Sequence, residues 1–500
     1  MLKAQNLNII SILIFFLGLS MIPSSLWSFF DSSSYSYSDR NFFDFIAILK
    51  SALIPISIGI ILYLVTKYAY KKRKIDLTIK DGFIVVTLGW IVSVFFSALP
   101  YYFSITPLSF TDAFFESMSG LTTTGATVLG DPSTFQIEDL SRGILFWRSF
   151  TQFIGGMGII VFSIAILPIL GIGGVQLFRA EVAGPVSENI APRVKQTAKL
   201  LWGIYVGLVS LQTIILKIEG MTWFDSICHS FATIATGGFS TKNYSIASFD
   251  STIIELTIII FMFIAATSFS LHYLFLAKGK FDYFKDEEFK IYFFLTCFIS
   301  LVLFLDININ GFYDWSLTSL KDSVFTTTSL ITTTGYSTAD FESFPNISKM
   351  CIFFLFFLGG TAGSTTGGIK IIRTLLILKY LSFELKKMIH PQGVYSIQIG
   401  GNVVEDSVVR NTLAFYLFYI FIFVFSSIIF SLFGLDMITS LSAAASSIGN
   451  VGPGLGGVGP YDSWGHFHPI AKWVSSFCML LGRLEIFTVM ILFSKSFWRI

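Results

Sequence analysis

Charge is scarce in this sequence: Asp, Glu, Lys and Arg together supply 13% of the 500 residues, and they nearly cancel to a formal +2. Soluble domains carry about 25% charged residues, so a water-facing surface along the whole chain is excluded. The Lys and Arg residues stand between apolar segments rather than on one face, and no nucleic-acid partner is expected. Cysteine is scarce too. Cys228, Cys297, Cys351 and Cys478 stand alone in apolar segments without C-x-x-C spacing, which argues against a disulfide framework or a zinc cluster and leaves small apolar residues. Catalytic fingerprints are missing: there is no G-x-S-x-G, H-E-x-x-H or dinucleotide-binding glycine pattern, so the chain is not expected to be an enzyme. His466 and His468 flank Phe467 without a third ligand nearby, too few for a metal centre; His229 reads as a packing residue.

What the sequence does have is apolar length, 53% hydrophobic and 17% aromatic. A bilayer core asks for roughly 20 mostly apolar residues per helix. Stretches of that kind, such as Ile84–Leu99, Ile253–Phe269, Ile291–Leu305 and Leu413–Leu432, recur throughout and predict about ten spans. Leu7–Phe30 is apolar for too long to be a signal peptide and reads as a retained first helix. Basic residues cluster in alternate connections: Lys67, Lys71, Lys72, Arg73, Lys74 and Lys80; Arg179, Arg193, Lys195 and Lys199; Lys278, Lys280, Lys285 and Lys290; Lys386, Lys387 and Arg410; Lys495 and Arg499. Loops rich in Lys and Arg stay in the cytoplasm, which puts both termini there.

The connections on the opposite side repeat one another. They read DAFFESMSGLTTTGAT from Asp112, DSICHSFATIATGGFS from Asp225, DSVFTTTSLITTTGYS from Asp322 and, more loosely, DMITSLSAAASSIGNVGPG from Asp436. Aligned on one glycine they pick Gly125, Gly237, Gly335 and Gly452. Each starts with Asp, a good N-cap, and at 1.5 Å per residue each piece is roughly 18–24 Å long, too short for a core of roughly 30 Å. The pieces must enter the membrane and turn back. Non-helical backbone at that depth survives only in protein or beside a water-filled cavity. Four such loops are most economically accommodated around one pore, where half-helix C-termini favour a cation. The carbonyls of Thr122, Thr123, Thr124 and Gly125, of Ile234, Ala235, Thr236 and Gly237, of Thr332, Thr333, Thr334 and Gly335, and of Gly449, Asn450, Val451 and Gly452 could then replace its hydration shell.

At these motifs the sequence resembles the TrkH/KtrB/HKT superfamily of potassium transporters, and within it the TrkH type. The likeness is carried by ESMSGLTTTGATVL at Glu116–Leu129, AEVAGPVSENIAPR at Ala180–Arg193, HPQGV at His390–Val394 and LGRLEIFTVMILFS at Leu481–Ser494. It implies an all-α polytopic membrane protein of the bacterial inner membrane, in which four pseudo-repeats of helix, pore loop and helix surround a central ion pore after two N-terminal transmembrane helices. The corresponding division is residues 1–78, 79–185, 186–283, 284–395 and 396–500. K⁺ is then the transported ion, with no other cofactor. The implied partners are a second copy in a homodimer, membrane lipid, and a cytosolic nucleotide-binding regulatory subunit like TrkA. A K⁺ channel filter reads TVGYG, whereas each loop here keeps a single aligned glycine, which predicts modest discrimination against Na⁺.

Between Ser348 and Leu381 a long apolar segment is interrupted by GGTAGSTTGGIK, from Gly359 to Lys370. Gly363 and Gly368 have the spacing of a phosphate loop, but Ile369 stands where Lys is required. The resemblance makes this run, with Gly359, Gly360, Gly363, Gly367, Gly368 and Lys370, an intramembrane gate below the filter, and broken helices at ion pathways support that. Lys370 either faces an acid or snorkels. Arg483, costly in an apolar span, has an ion pair with Glu485 as its plain reading; the resemblance instead makes it an electrostatic barrier in the pore. The rival to gated flow is a symporter coupled to H⁺ or Na⁺, for which buried acids would speak; only Glu255 and Glu485 stand out.

Overall fold

The computed structural model describes residues 4–32, 38–69, 78–130, 136–165 and 194–498. The AEVAGPVSENIAPR stretch, the boundary between 185 and 186, and Lys71, Lys72, Arg73, Lys74, Arg179, Arg193 and Arg499 lie outside those residues. Among the described residues the regular structure is helical apart from a small hairpin, β1 (Gln398–Ile399) with β2 (Asn402–Val403).

It begins with α1 (Ala4–Ser20), α2 (Ile22–Ser32) and α3 (Ser38–Ala69). Small residues let α1 lie tightly on α3: a Cβ on Gly18 would come within 2.8 Å of the Ala52 carbonyl oxygen, and one on Gly59 within 2.9 Å of that of Ser11. Four units of helix, half-helix, loop and helix follow. In the first, α4 (Ile79–Ser97) and the short α5 (Leu99–Phe103) lead to half-helix α6 (Phe110–Leu121) and return as α7 (Arg142–Ala165). In the second, α8 (Val194–Ile218) and half-helix α9 (Trp223–Ile234) lead to α10 (Thr252–Ala265) and α11 (Phe269–Lys278). The third has α12 (Glu287–Ile309), half-helix α13 (Leu317–Ile331), α14 (Asn346–Leu355) and α15 (Ile371–Ile389). The fourth has α16 (Asp406–Leu432), half-helix α17 (Met437–Gly449) and α18 (Pro469–Arg483).

Among the described residues six helical segments are long and apolar enough to cross a bilayer, and eight if two bent pairs each count as one. The pairs are α10 with α11, bent by 96°, and α18 with 487–493, bent by 110°. The two further spans expected from sequence correspond to α7, which carries Arg142 and Arg148, and to α14 and α15, which a buried loop separates. Apolar side chains such as Leu417, Phe421, Ile428 and Leu432 on α16 face outward, a surface that suits lipid and not water.

The half-helices are 12, 12, 15 and 13 residues long. Their caps differ from expectation. Ser109, Thr222 and Ser316 are the N-caps of α6, α9 and α13, each accepting a backbone N–H three residues on, and only α17 is capped by its Asp, Asp436. Asp112 and Asp225 lie in the first turn, and Asp322 lies further inside α13. A hydroxyl three residues ahead of an acid takes the cap, and the acid then favours the positive helix start.

Candidate ion pathway

Each half-helix unwinds into a loop of the same shape. Thr123, Thr236, Thr333 and Asn450 take left-handed φ values of 51°, 55°, 53° and 54°, a conformation costing about 1–3 kcal/mol for such residues and concentrated at functional sites. Two positions on stand Gly125, Gly238, Gly335 and Gly452, with φ of 85°, 75°, 81° and 102°. Gly237 is therefore not the counterpart of the other three glycines. Its N–H donates to Ala232 at 2.8 Å as Thr124 does to Ser119 at 2.8 Å, Thr334 to Ser329 at 2.9 Å and Val451 to Ser446 at 3.0 Å. The second loop's quartet is thus Ala235–Gly238, and Ile234 closes half-helix α9. Two adjacent glycines left the register open in the sequence; the backbone hydrogen bonds fix it.

The four loops close into a ring with one sense of rotation. A Cβ on Gly125 would overlap the carbonyl oxygen of Gly237, one on Gly238 that of Thr334, one on Gly335 that of Val451, and one on Gly452 that of Thr124. Each glycine thus lets the next loop's oxygen approach its backbone, which a side chain would prevent. Among the described residues the carbonyls of Thr124, Thr334 and Val451 receive no hydrogen bond, and the buried Thr123 Oγ1 and Asn450 Oδ1 have no partner either. Buried acceptors left unsatisfied cost about 1–3 kcal/mol each, and these five belong to three of the four ring loops.

Side chains that sequence reasoning passed over hold the ring from behind. Glu116 and Arg148 form a buried ion pair at 2.8 Å. The Glu116 carboxylate accepts from Thr127 Oγ1 and the Val128 N–H, while Arg148 donates to the Ser240 carbonyl at 3.0 Å and covers the Phe239 ring. His229 stands at the matching position of α9 and bridges the Asp225 carbonyl to Ser240 Oγ, at 2.8 and 2.9 Å, so its role is bracing as well as packing. Asp225 and Asp322 accept from Thr241 and Thr338, and Asp112 pairs with Lys472. Asn450 Nδ2 joins the fourth loop to Thr124 Oγ1 at 3.0 Å. His466 and His468 bond locally, and among the described residues no three His, Cys, Asp or Glu side chains gather in a metal-binding group.

The segment Gly359–Lys370 is a loop pinched at its neck, where the Gly359 N–H donates to Ile369 at 2.9 Å and the Ile369 N–H to Phe357 at 3.0 Å. It lies against the half-helix ends. Thr365 Oγ1 donates to Ile234, the Gly367 N–H to Thr333 Oγ1 at 2.8 Å, and a Cβ on Gly367 would lie 2.6 Å from the Gly449 oxygen. Arg483 is buried and donates through Nη1 to the Thr365 carbonyl at 2.7 Å and through Nη2 to that of Gly155 at 3.2 Å. It does not pair with Glu485, which binds Arg373 at 3.0 Å. Lys370 folds back onto the loop and donates to the Thr366 carbonyl and hydroxyl. Glu288, another acid not anticipated, accepts from the Ala362 and Ile372 N–H groups at 2.8 and 2.9 Å and ties down both arms of the loop.

Comparison with known proteins agrees with this architecture. The TrkH family, described as cation transport protein, matches residues 49–500. The Trk system potassium uptake protein TrkH of Vibrio parahaemolyticus is 42% identical over 434 residues, 86% of this chain and 88% of its own. Its namesake in Escherichia coli K12 is 39% identical over 456 residues, 91% of this chain and 92% of its own. The namesake in Halomonas elongata is 38% identical over 496 residues, 99% and 98%. The crystal structure of the potassium transporter TrkH from Vibrio parahaemolyticus matches with a TM-score of 0.88 at 36% identity, covering 100% of both chains.

Proposed function

The chain belongs to the TrkH family of cation transport proteins, and we propose that it carries K⁺ into a bacterial cell through the ring of loop carbonyls. The observation that carries the proposal is the ring itself: buried oxygens of four loops, three of them without a donor, meet where four half-helices end. Such oxygens can replace the hydration shell of a monovalent cation, and the negative ends of the half-helices favour its charge. The names of the relatives favour K⁺ as cargo. The filter comprises Thr122–Gly125, Ala235–Gly238, Thr332–Gly335 and Gly449–Gly452, and the loop Gly359–Lys370 with Arg483 is its gate, since the loop touches three half-helix ends and the guanidinium holds it there. Residues 1–78 precede pore units at 79–185, 186–283, 284–395 and 396–500. The protein lies in the inner membrane with both termini cytoplasmic, as a homodimer that a cytosolic nucleotide-binding subunit like TrkA regulates.

Uptake of K⁺ by a transport-deficient bacterium expressing the chain tests this, with Gly125→Ser as control. The parent chain is expected to restore uptake, and Gly125→Ser, whose Cβ would overlap the Gly237 oxygen, to lower it at least about tenfold, a barrier change of some 1.4 kcal/mol. Inserted parent protein that restores no uptake alongside a regulatory subunit would sink the proposal.

A further inference from the structure

One of the four ring carbonyls differs from the rest. The Gly237 oxygen accepts a hydrogen bond from Gln152 Nε2 at 2.7 Å, and Gln152 Oε1 in turn accepts the Phe239 N–H at 3.2 Å. Gln152 lies on α7 in the first unit and is fully buried, so the first unit grips the second loop on both sides of Gly238. The grip also explains why this loop has two glycines. A Cβ on Gly237 would stand 2.5 Å from Gln152 Cδ, whereas the equivalent positions in the other loops hold Thr124, Thr334 and Val451 with free carbonyls.

We propose that Gln152 is a specificity-determining positioning residue, which acts through the Gly237 carbonyl to favour K⁺ over Na⁺. The inference rests on the reading of the ring as a cation filter. The donated N–H places positive charge against that oxygen and weakens the field it presents to an ion. The same bond, with its partner to Phe239, fixes the oxygen's position. Na⁺ is smaller and more tightly hydrated, so it needs oxygens that pull harder or move inward. Gln152 denies both at one quarter of the ring. Gly237 is the matching half of the device, because only a residue without Cβ leaves the amide room to reach the carbonyl.

The test measures K⁺ uptake and its Na⁺ competition for the full chain with its regulatory subunit, at equal membrane abundance, in the parent and three variants. Gln152→Met keeps the length and removes donor and acceptor; it is expected to lower the K⁺-to-Na⁺ preference by about fivefold, the worth of one hydrogen bond. Loss of maximal rate with an unchanged preference would mark a merely structural role and overturn the inference. Gly237→Thr introduces the residue found in loops 1 and 3 and is expected to abolish uptake, while Gln152→Ser/Gly237→Thr, which clears the space, should recover part of it. If Gln152→Met fails to insert, this pair decides: recovery supports the matched pair, and a double variant no better than Gly237→Thr refutes it. Absence of K⁺ uptake in the parent chain, by contrast, would count against the filter reading itself.

Discussion

At the scale of single residues, the buried polar groups divide into those that are satisfied and those without a partner among the described residues. Glu116 and Arg148 belong to the first kind. Together they bind Thr127, Val128 and Ser240, so one ion pair fixes the backbone that leaves two of the ring loops. Breaking such a pair strands a charge away from water. Glu116→Ala is expected to destabilise the protein by about 3–5 kcal/mol, the usual cost of an orphaned buried charge, measured as earlier thermal unfolding of purified protein in detergent. Unfolding indistinguishable from that of the parent would mean that the pair is not what holds these loops. Arg483 differs, because among the described residues its guanidinium meets only carbonyls, those of Thr365 and Gly155, and its Nε has no partner. A cation held by neutral dipoles keeps most of its field, and we propose Arg483 as a barrier to other cations.

At the scale of elements, the loop Gly359–Lys370, which we propose as the gate, is held by a small set of contacts. Its neck is a pair of backbone bonds, Glu288 holds its arms, and its tip reaches Ile234 and Thr333 through hydroxyls. Deleting Gly363–Gly367 removes Thr365 and Gly367 and with them the contacts to three half-helix ends and to Arg483. Ion flux through folded, inserted protein is expected to rise; equal or lower flux would show that the loop does not obstruct the path. The loop was legible in the sequence because a run of small residues cannot continue an apolar helix. So were the half-helices, whose length and spacing demand re-entry. The ring register was not, since Thr236-Gly237-Gly238 offers two alignments and only the hydrogen bonds of the unwound turn choose Gly238. Nor were the caps, where Ser109, Thr222 and Ser316 precede the conspicuous acids. Glu116, Arg148, Gln152 and Glu288 stayed hidden because their partners lie 32, 85 and 74 residues away in the chain and meet only after folding.

At the scale of the whole molecule, the choice between a gated pore and a coupled symporter turns on protonatable groups along the path. Glu116 is neutralised by Arg148, Glu255 pairs with Lys321, and Glu288 is bound by two backbone N–H groups. Each of these three acids has a partner, and gated flow down the membrane potential is the reading we propose. Single-channel currents are then expected to reverse at the K⁺ equilibrium potential; a reversal that follows the H⁺ or Na⁺ gradient would identify coupled transport. The ring is also closed by one chain rather than by four subunits, and its last joint is Gly452 against Thr124. A ribosome adding about 5–20 residues per second therefore finishes the first loop some 16–65 s before the fourth exists. Through that interval the Thr124 oxygen lacks the glycine it meets in the finished ring. Translation that stops before Gly452 leaves the ring without its last joint.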